Sequence, residues 1–367
     1  MQFLTDILVG VLTLYLGLAT NLAMIIAPGS FTASEEPATL INESAESEGL
    51  LSSLPTSIGN LIPDILLRSA EFQAAAVIQS TETLDKPVDD PLEALVNIFC
   101  TYATADYIRT TTGTGFFVDS DGVILTNAHV AQFLLLEQTE EFGTTNCQVR
   151  AGNPAAAKYS AELLYLPPAW VQANAGILYD EVPMGTGERD YALLYVSGSI
   201  DNSPLPVSFP SLRLDADLLP TSIINDDVVA AGYPADNLLR NGPNADLIPR
   251  KANTTVSELY TFGSNYADVL SIRGSSVGAE GASGGPVVNE SGDVIGVIVT
   301  RGDDIADGEG SLRAITVSHI ARTMEEETGF SLEQNLSGDL SFRAQIFNEI
   351  LSPFLLTLLE NERPVTQ

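Results

Sequence analysis

GAEGASGGPVVNESGDVIGVIVT, residues 278–300, sets a lone serine among glycines and follows it with two apolar runs joined by a turn. Pro286–Val288 and Val294–Thr300 have the β-branched content of strands, and Asn289-Glu-Ser-Gly-Asp293 between them has the composition of a hairpin turn. The small residues around Ser283 let the backbone turn tightly and leave room for another molecule to approach. At Gly281 the absent side chain frees the backbone amide to point into a pocket. The same texture extends upstream. GTGFFVDSDGVILTNAHV (Gly113–Val130) has two apolar runs about Asp119-Ser-Asp-Gly122, and DYALLYV (Asp190–Val196) and DVVAAGYP (Asp227–Pro234) are further short runs ended by turn residues. From Leu92 to about Thr323 such runs recur, which predicts an all-β sandwich or barrel. Pro204, Pro206, Pro210 and Pro220 mark a link between two β units of similar size.

The chain has 367 residues, 45% of them hydrophobic, enough for one or two domains with a sizeable core plus extensions. Lys and Arg number 16 against 48 Asp and Glu, a formal charge of −32. A surface so acidic repels phosphate backbones and anionic headgroups, which argues against a nucleic-acid partner. Two cysteines and two histidines are too few for a four-ligand Cys/His zinc site.

With two histidines in the chain, their contexts carry information. His129 ends the strand-like VILTNAHV, and His319 lies in AITVSHIARTMEEE, which reads as a strand entering a helix. A serine hydroxyl is a weak nucleophile and needs a base. An imidazole is suited to that task near neutral pH, a buried carboxylate fixes its tautomer, and backbone amides beside the serine can hold an oxyanion.

Taken in order, GTGFFVDSDGVILTNAHV, DYALLYV and GASGGPVVNESGDVIGVI resemble the trypsin-like serine peptidases, and among them the bacterial HtrA/Deg type. The resemblance covers about residues 92–323. It implies two antiparallel six-stranded Greek-key β-barrels, about 92–205 and 206–323, with a cleft between them. It also implies His129 as general base and acid, Asp190 as its orienting carboxylate and Ser283 as nucleophile, with the amides of Gly281 and Ser283 as oxyanion hole. His319 matches no catalytic position of the family and reads as a helix-start histidine. The substrate pocket is assigned to Val277, at its floor, with Glu280 and Thr300. No acid stands at the floor, so small or medium aliphatic side chains are expected before the cleaved bond. Asp303, Asp304, Asp307 and Glu309 are expected near the pocket mouth as a solvated acidic loop. No cofactor or metal is implied. Ala282 precedes the nucleophile where digestive members carry an aspartate, so activation through a new N-terminus is not expected. The family places Cys100 on the first barrel strand and Cys147 on a neighbouring one, which makes a disulfide reasonable and suggests an oxidising compartment. Two free buried thiols are the alternative.

Outside this region the texture changes. Ile7–Ala27 is a run of 21 residues without charge, about 31 Å as a helix and enough to span a bilayer core. It is read as an N-terminal transmembrane anchor (residues 1–27), with a cleaved signal peptide as the competing reading. Residues 28–91 form an acidic, serine-rich linker with helical spacing at Pro63–Gln79. In 324–367, Ala344–Leu359 predicts an apolar helix too short to span a membrane, packing on the protein or a partner subunit. About 45 residues after Thr323 are fewer than a PDZ domain of ordinary size needs. The chain therefore reads as a membrane-tethered serine endopeptidase acting on proteins or peptides outside the cytoplasm, in the periplasm or extracellular space, or secreted if the N-terminus is cleaved. The alternative is a catalytically silent trypsin-like binding or scaffold domain. Oligomeric state has no signature in the sequence.

Overall fold

A computed structural model of the chain describes residues 87–104, 108–140, 143–179, 187–242, 245–263, 265–274, 276–278, 280–301 and 311–362. The expected anchor at Ile7–Ala27, most of the linker and the acidic loop carrying Asp303, Asp304, Asp307 and Glu309 lie outside the described residues. Among the described residues no helix is long and apolar enough to cross a membrane.

Two closed antiparallel barrels contain the described strands. The first comprises β1 (Leu95–Ala103), β2 (Ile108–Phe117), β3 (Val123–Thr126), β4 (Thr144–Ala151), β5 (Ala156–Tyr165) and β6 (Ala192–Ser199), in the order β1-β2-β3-β6-β5-β4. The second comprises β7 (Asp227–Gly232), β8 (Arg250–Tyr260), β9 (Val269–Ile272), β10 (Pro286–Val288), β11 (Val294–Arg301) and β12 (Leu312–Thr316), in the equivalent order. In each, the fourth strand returns beside the first, the Greek-key connection, and closes the barrel. The expected hairpin turns are present. Val118 N–H donates to Val123 O (2.9 Å) across Gly122, at φ +97, where a side chain would strike the Phe209 ring. Asn289 N–H donates to Asp293 O (2.9 Å), and its Oδ1 accepts from the amides of Ser291 and Asp293 (both 3.0 Å). Cys100 and Cys147 stand directly opposite on β1 and β4, the seam that closes the first barrel, and are joined as a disulfide.

Each barrel fills its interior with branched side chains. Val228, Val256, Leu270, Val287, Ile298 and Leu312 are among those in the second. Helices pack on the barrels and extend the buried core. These are α1 (Pro168–Asn174), α2 (Val317–Thr328), α3 (Leu332–Asn335), α4 (Leu340–Ile346) and α5 (Ser352–Asn361). After α2 the chain returns to the first barrel, where Phe347, Leu351, Leu355 and Leu359 are fully buried. Asn348 Nδ2 donates to Leu163 O (3.2 Å) and Tyr179 OH to Leu359 O (3.0 Å). The apolar tail thus packs on its own chain. Pro353 has no N–H to offer the carbonyl four residues back, and the ladder widens into a π-helical turn at Phe347–Leu351 just before it.

Candidate active site

His129 sits in the helical turn Ala128–Ala131, which leaves the end of β3. Asp190 enters β6, and β3 pairs with β6 with Thr126 opposite Ala192, so adjacent strands deliver both residues to one end of the first barrel. The Asp190 carboxylate is fully buried and grips the histidine twice. Oδ2 lies 2.8 Å from His129 Nδ1, and Oδ1 accepts the His129 backbone N–H at 2.9 Å. An ionised carboxylate can only accept, so Nδ1 carries the proton and Nε2 is left as the base. Asn127 Nδ2 holds the Asp190 carbonyl (2.8 Å), and Gln132 Nε2 donates to the His129 carbonyl (3.0 Å).

Ser283 comes from the second barrel, on the loop between β9 and β10. Gly281 has φ +90 and Gly284 φ +89. A Cβ at Gly284 would lie 1.9 Å from Thr114 O and one at Gly281 2.7 Å from Tyr233 O, so conformation and space both demand glycine. The loop docks on β2, where Thr114 N–H donates to Ser283 O (2.7 Å). The half-buried Ser283 hydroxyl donates to Val299 O (3.2 Å), and no hydrogen bond joins it to His129. His129 and Asp190 are therefore engaged with each other, while the serine hydroxyl rests on β11.

Val277 is fully buried among the second barrel's apolar residues and is close to Gly232. Glu280 is exposed, while its backbone carbonyl accepts from Ala235 N–H (2.6 Å). Thr300 lies in β11. His319 is the third residue of α2, and its amide donates to the capping Thr316 hydroxyl (3.1 Å). Its Nδ1 lies 3.1 Å from the fully buried Asp268 Oδ1, which Arg322 also contacts at 2.6 Å. Burial outweighs the Asp268 contact and lowers the His319 pKa.

Two groups around the site escape sequence reasoning. One is Thr114, whose hydroxyl donates to the carbonyl of Gly281, 167 positions away (2.6 Å). The other braces the segment around Asp190 from α2. Glu327 accepts from Tyr165 OH (2.6 Å) and pairs with Arg189 Nε (2.9 Å), and Tyr191 OH meets Thr323 Oγ1 (2.9 Å). Burial raises the pKa of both tyrosines, keeping their hydroxyls protonated. The only local hints are the threonine between two glycines in GTG and the polar residues on an otherwise buried helix face.

A profile of the trypsin-like peptidase domain matches residues 113–297. The uncharacterized protein y4bJ of Sinorhizobium fredii (strain NBRC 101917 / NGR234) is 26% identical over 194 residues, 53% of this chain and 22% of that protein. The chain thus spans about a fifth of the length of this curated relative. Among solved structures, the active form of the Rv3671c protease from M. tuberculosis matches with a TM-score of 0.38 and 19% identity, over 82% of this chain and 96% of that one. An inactive serine-to-alanine form of the same protease from strain H37Rv matches with a TM-score of 0.38 and 20% identity, over 72% and 93%.

Proposed function

The chain belongs to the trypsin-like serine peptidases, and on that premise we propose that it is a membrane-tethered endopeptidase working outside the cytoplasm with His129, Asp190 and Ser283 as its triad. The observation that carries the triad is the buried His129–Asp190 pair at 2.8 Å, with Ser283 on a loop docked against the same barrel.

In the proposed reaction His129 Nε2 takes the Ser283 proton as Oγ bonds to the scissile carbonyl carbon. The carbonyl π pair moves to oxygen, and the resulting oxyanion is held by the amides of Gly281 and Ser283. Asp190 stabilises the imidazolium. That imidazolium passes its proton to the amine as the C–N bond breaks, leaving an acyl ester on Ser283. Water, deprotonated by His129, then attacks the ester, and Ser283 recovers its proton. The hydroxyl must first leave Val299 O for His129. That resting position favours one rival reading, a silent trypsin-like binding domain.

A fluorophosphonate probe separates the two. Labelling of wild-type protein, absent in Ser283→Ala, is the expected result; no labelling of folded wild-type protein would leave the silent domain. Turnover of casein as well as a short ester then distinguishes a peptidase from an esterase. The tether rests on the uncharged run Ile7–Ala27, and the compartment on that run together with the Cys100–Cys147 pairing. Retention in membranes after alkaline extraction, with the domain digestible by protease added outside, is the expected behaviour. Release into the soluble fraction would remove the tether.

A further inference from the structure

We propose that Thr114 is a positioning residue that sets the geometry of the oxyanion hole; the inference rests on reading the Gly281 and Ser283 amides as that hole. A glycine at φ +90 has no side chain to hold its peptide planes, so their directions must be set by partners. Both carbonyls about Gly281 have one. The Glu280 carbonyl accepts from Ala235 N–H (2.6 Å) and the Gly281 carbonyl from Thr114 Oγ1 (2.6 Å). In a trans peptide the N–H points opposite to the C=O, so fixing the Glu280 carbonyl aims the Gly281 N–H the other way. The Thr114 bond holds the next plane, and with it the turn that leads to Ser283.

The direction of the Thr114 hydroxyl is forced. Tyr233 N–H also meets Thr114 Oγ1, at 2.9 Å, and an N–H can only donate. The hydroxyl therefore accepts from Tyr233 and gives its single proton to Gly281. Its backbone completes the grip. Thr114 N–H donates to Ser283 O (2.7 Å), and Thr114 O accepts from Thr126 Oγ1 (2.7 Å), three residues before His129. One wholly buried residue of the first barrel thus ties residues 281 and 283 of the second to the strand end that carries the base. Valine at this position keeps the volume and the backbone bonds, but leaves the Gly281 carbonyl and the Tyr233 amide buried without a partner.

The test compares Thr114→Val, Thr114→Ser and Thr114→Ala in the full chain, using a cleaved peptide and a peptidyl boronic acid, whose tetrahedral adduct places an oxygen in the hole. Thr114→Val and Thr114→Ala are expected to lower kcat about 10- to 1,000-fold, the range up to that for losing an oxyanion donor outright. KM should stay near the wild-type value, and boronate affinity should fall in step with kcat. Thr114→Ser keeps the hydroxyl and should restore both. A role confined to stability would lower the unfolding midpoint and move neither the kcat-to-KM split nor the boronate affinity. Wild-type kcat in folded Thr114→Val overturns the inference, as does a loss confined to KM, or equal losses in the serine and alanine variants. If valine prevents folding, the serine–alanine pair is read in the same way. Fluorophosphonate labelling keeps the two levels apart. Absence of labelling in wild type sinks the peptidase reading itself, whereas wild-type labelling rates in Thr114→Val sink only the role of Thr114.

Discussion

At the scale of single residues, the structure gives Asp190 two tasks with one carboxylate. Oδ2 orients the imidazole and Oδ1 holds the backbone of the turn that carries it. Asp190→Asn keeps much of this shape, but an amide can donate to Nδ1 and so favours the wrong tautomer. We expect kcat to drop by about 10⁴-fold, the loss seen for this change in a serine protease triad, with the unfolding midpoint little changed. If the proposed triad acts as a unit, Ser283→Ala combined with His129→Ala should lose little more than either alone. Additive losses in steady-state kinetics would break up the triad. His319 yields a prediction about stability. Among the groups facing it are Asp268, which favours its charged form, and Arg322 and Arg189, which oppose it; burial is the largest influence and the net shift is downwards from 6.5. The unfolded chain then binds the proton more readily than the folded one. The stabilising term is fully present above about pH 6.5 and is lost as pH falls through the lowered folded value. Unfolding midpoints measured across that window should decline more steeply for wild type than for His319→Gln, and parallel curves would exclude His319 as the source.

At the scale of elements, the closing seam of the first barrel is the place to probe. β1 meets β4 only after the intervening chain has folded back, and the disulfide bridges a separation of 47 residues. Constraining an unfolded loop of that length is worth roughly 4 kcal/mol in the chain-entropy account. Replacing both Cys100 and Cys147 by alanine should lower unfolding free energy by about that amount in denaturant titrations and leave catalytic constants near wild type. Equal stability with and without the pair, or two free thiols in non-reducing peptide maps of protein from its native compartment, would contradict this. The helix α2 is the corresponding brace for Asp190, since Glu327 and Thr323 face Arg189 and Tyr191 on either side of the carboxylate.

At the scale of the whole molecule, net charge and the residue at position 277 bear on substrate choice under the proposed peptidase reading. The formal charge is −32, and no acidic side chain stands at Val277 to receive a cation. An unpaired buried Arg or Lys is costly, so peptide-library profiling should show Ala, Val or Leu before the cleaved bond. Selectivity between close homologues should be broad, about 10–200-fold. An excess of 48 Asp and Glu over 16 Lys and Arg would still draw basic flanking residues by long-range attraction. The kcat/KM for such peptides should fall as salt rises and the screening length shrinks below about 10 Å. A profile dominated by Arg or Lys immediately before the cleaved bond, or a salt-independent rate, would show that the pocket or the steering has been misassigned.

What the sequence determined by itself is local in physical origin. Asn289 and Gly122 specify hairpin turns through a side-chain acceptor and a positive φ, and β-branched runs on either side specify the strands. The glycines about Ser283 mark a tight loop because no other residue fits there. The pairing of His129 with Asp190 was legible through the family resemblance, because each residue sits in a short motif of its own. The docking of the apolar tail on the first barrel, the burial of His319 against Asp268, and the bond from Thr114 to Gly281 were decided by tertiary structure. Their partners lie far along the chain, Asn348 from Leu163 by 185 residues and His319 from Asp268 by 51. A side chain's own neighbours carry no record of such a partner. It is barrel closure and the packing of the second barrel on the first that bring the groups within bonding distance, and once both are buried each must satisfy the other.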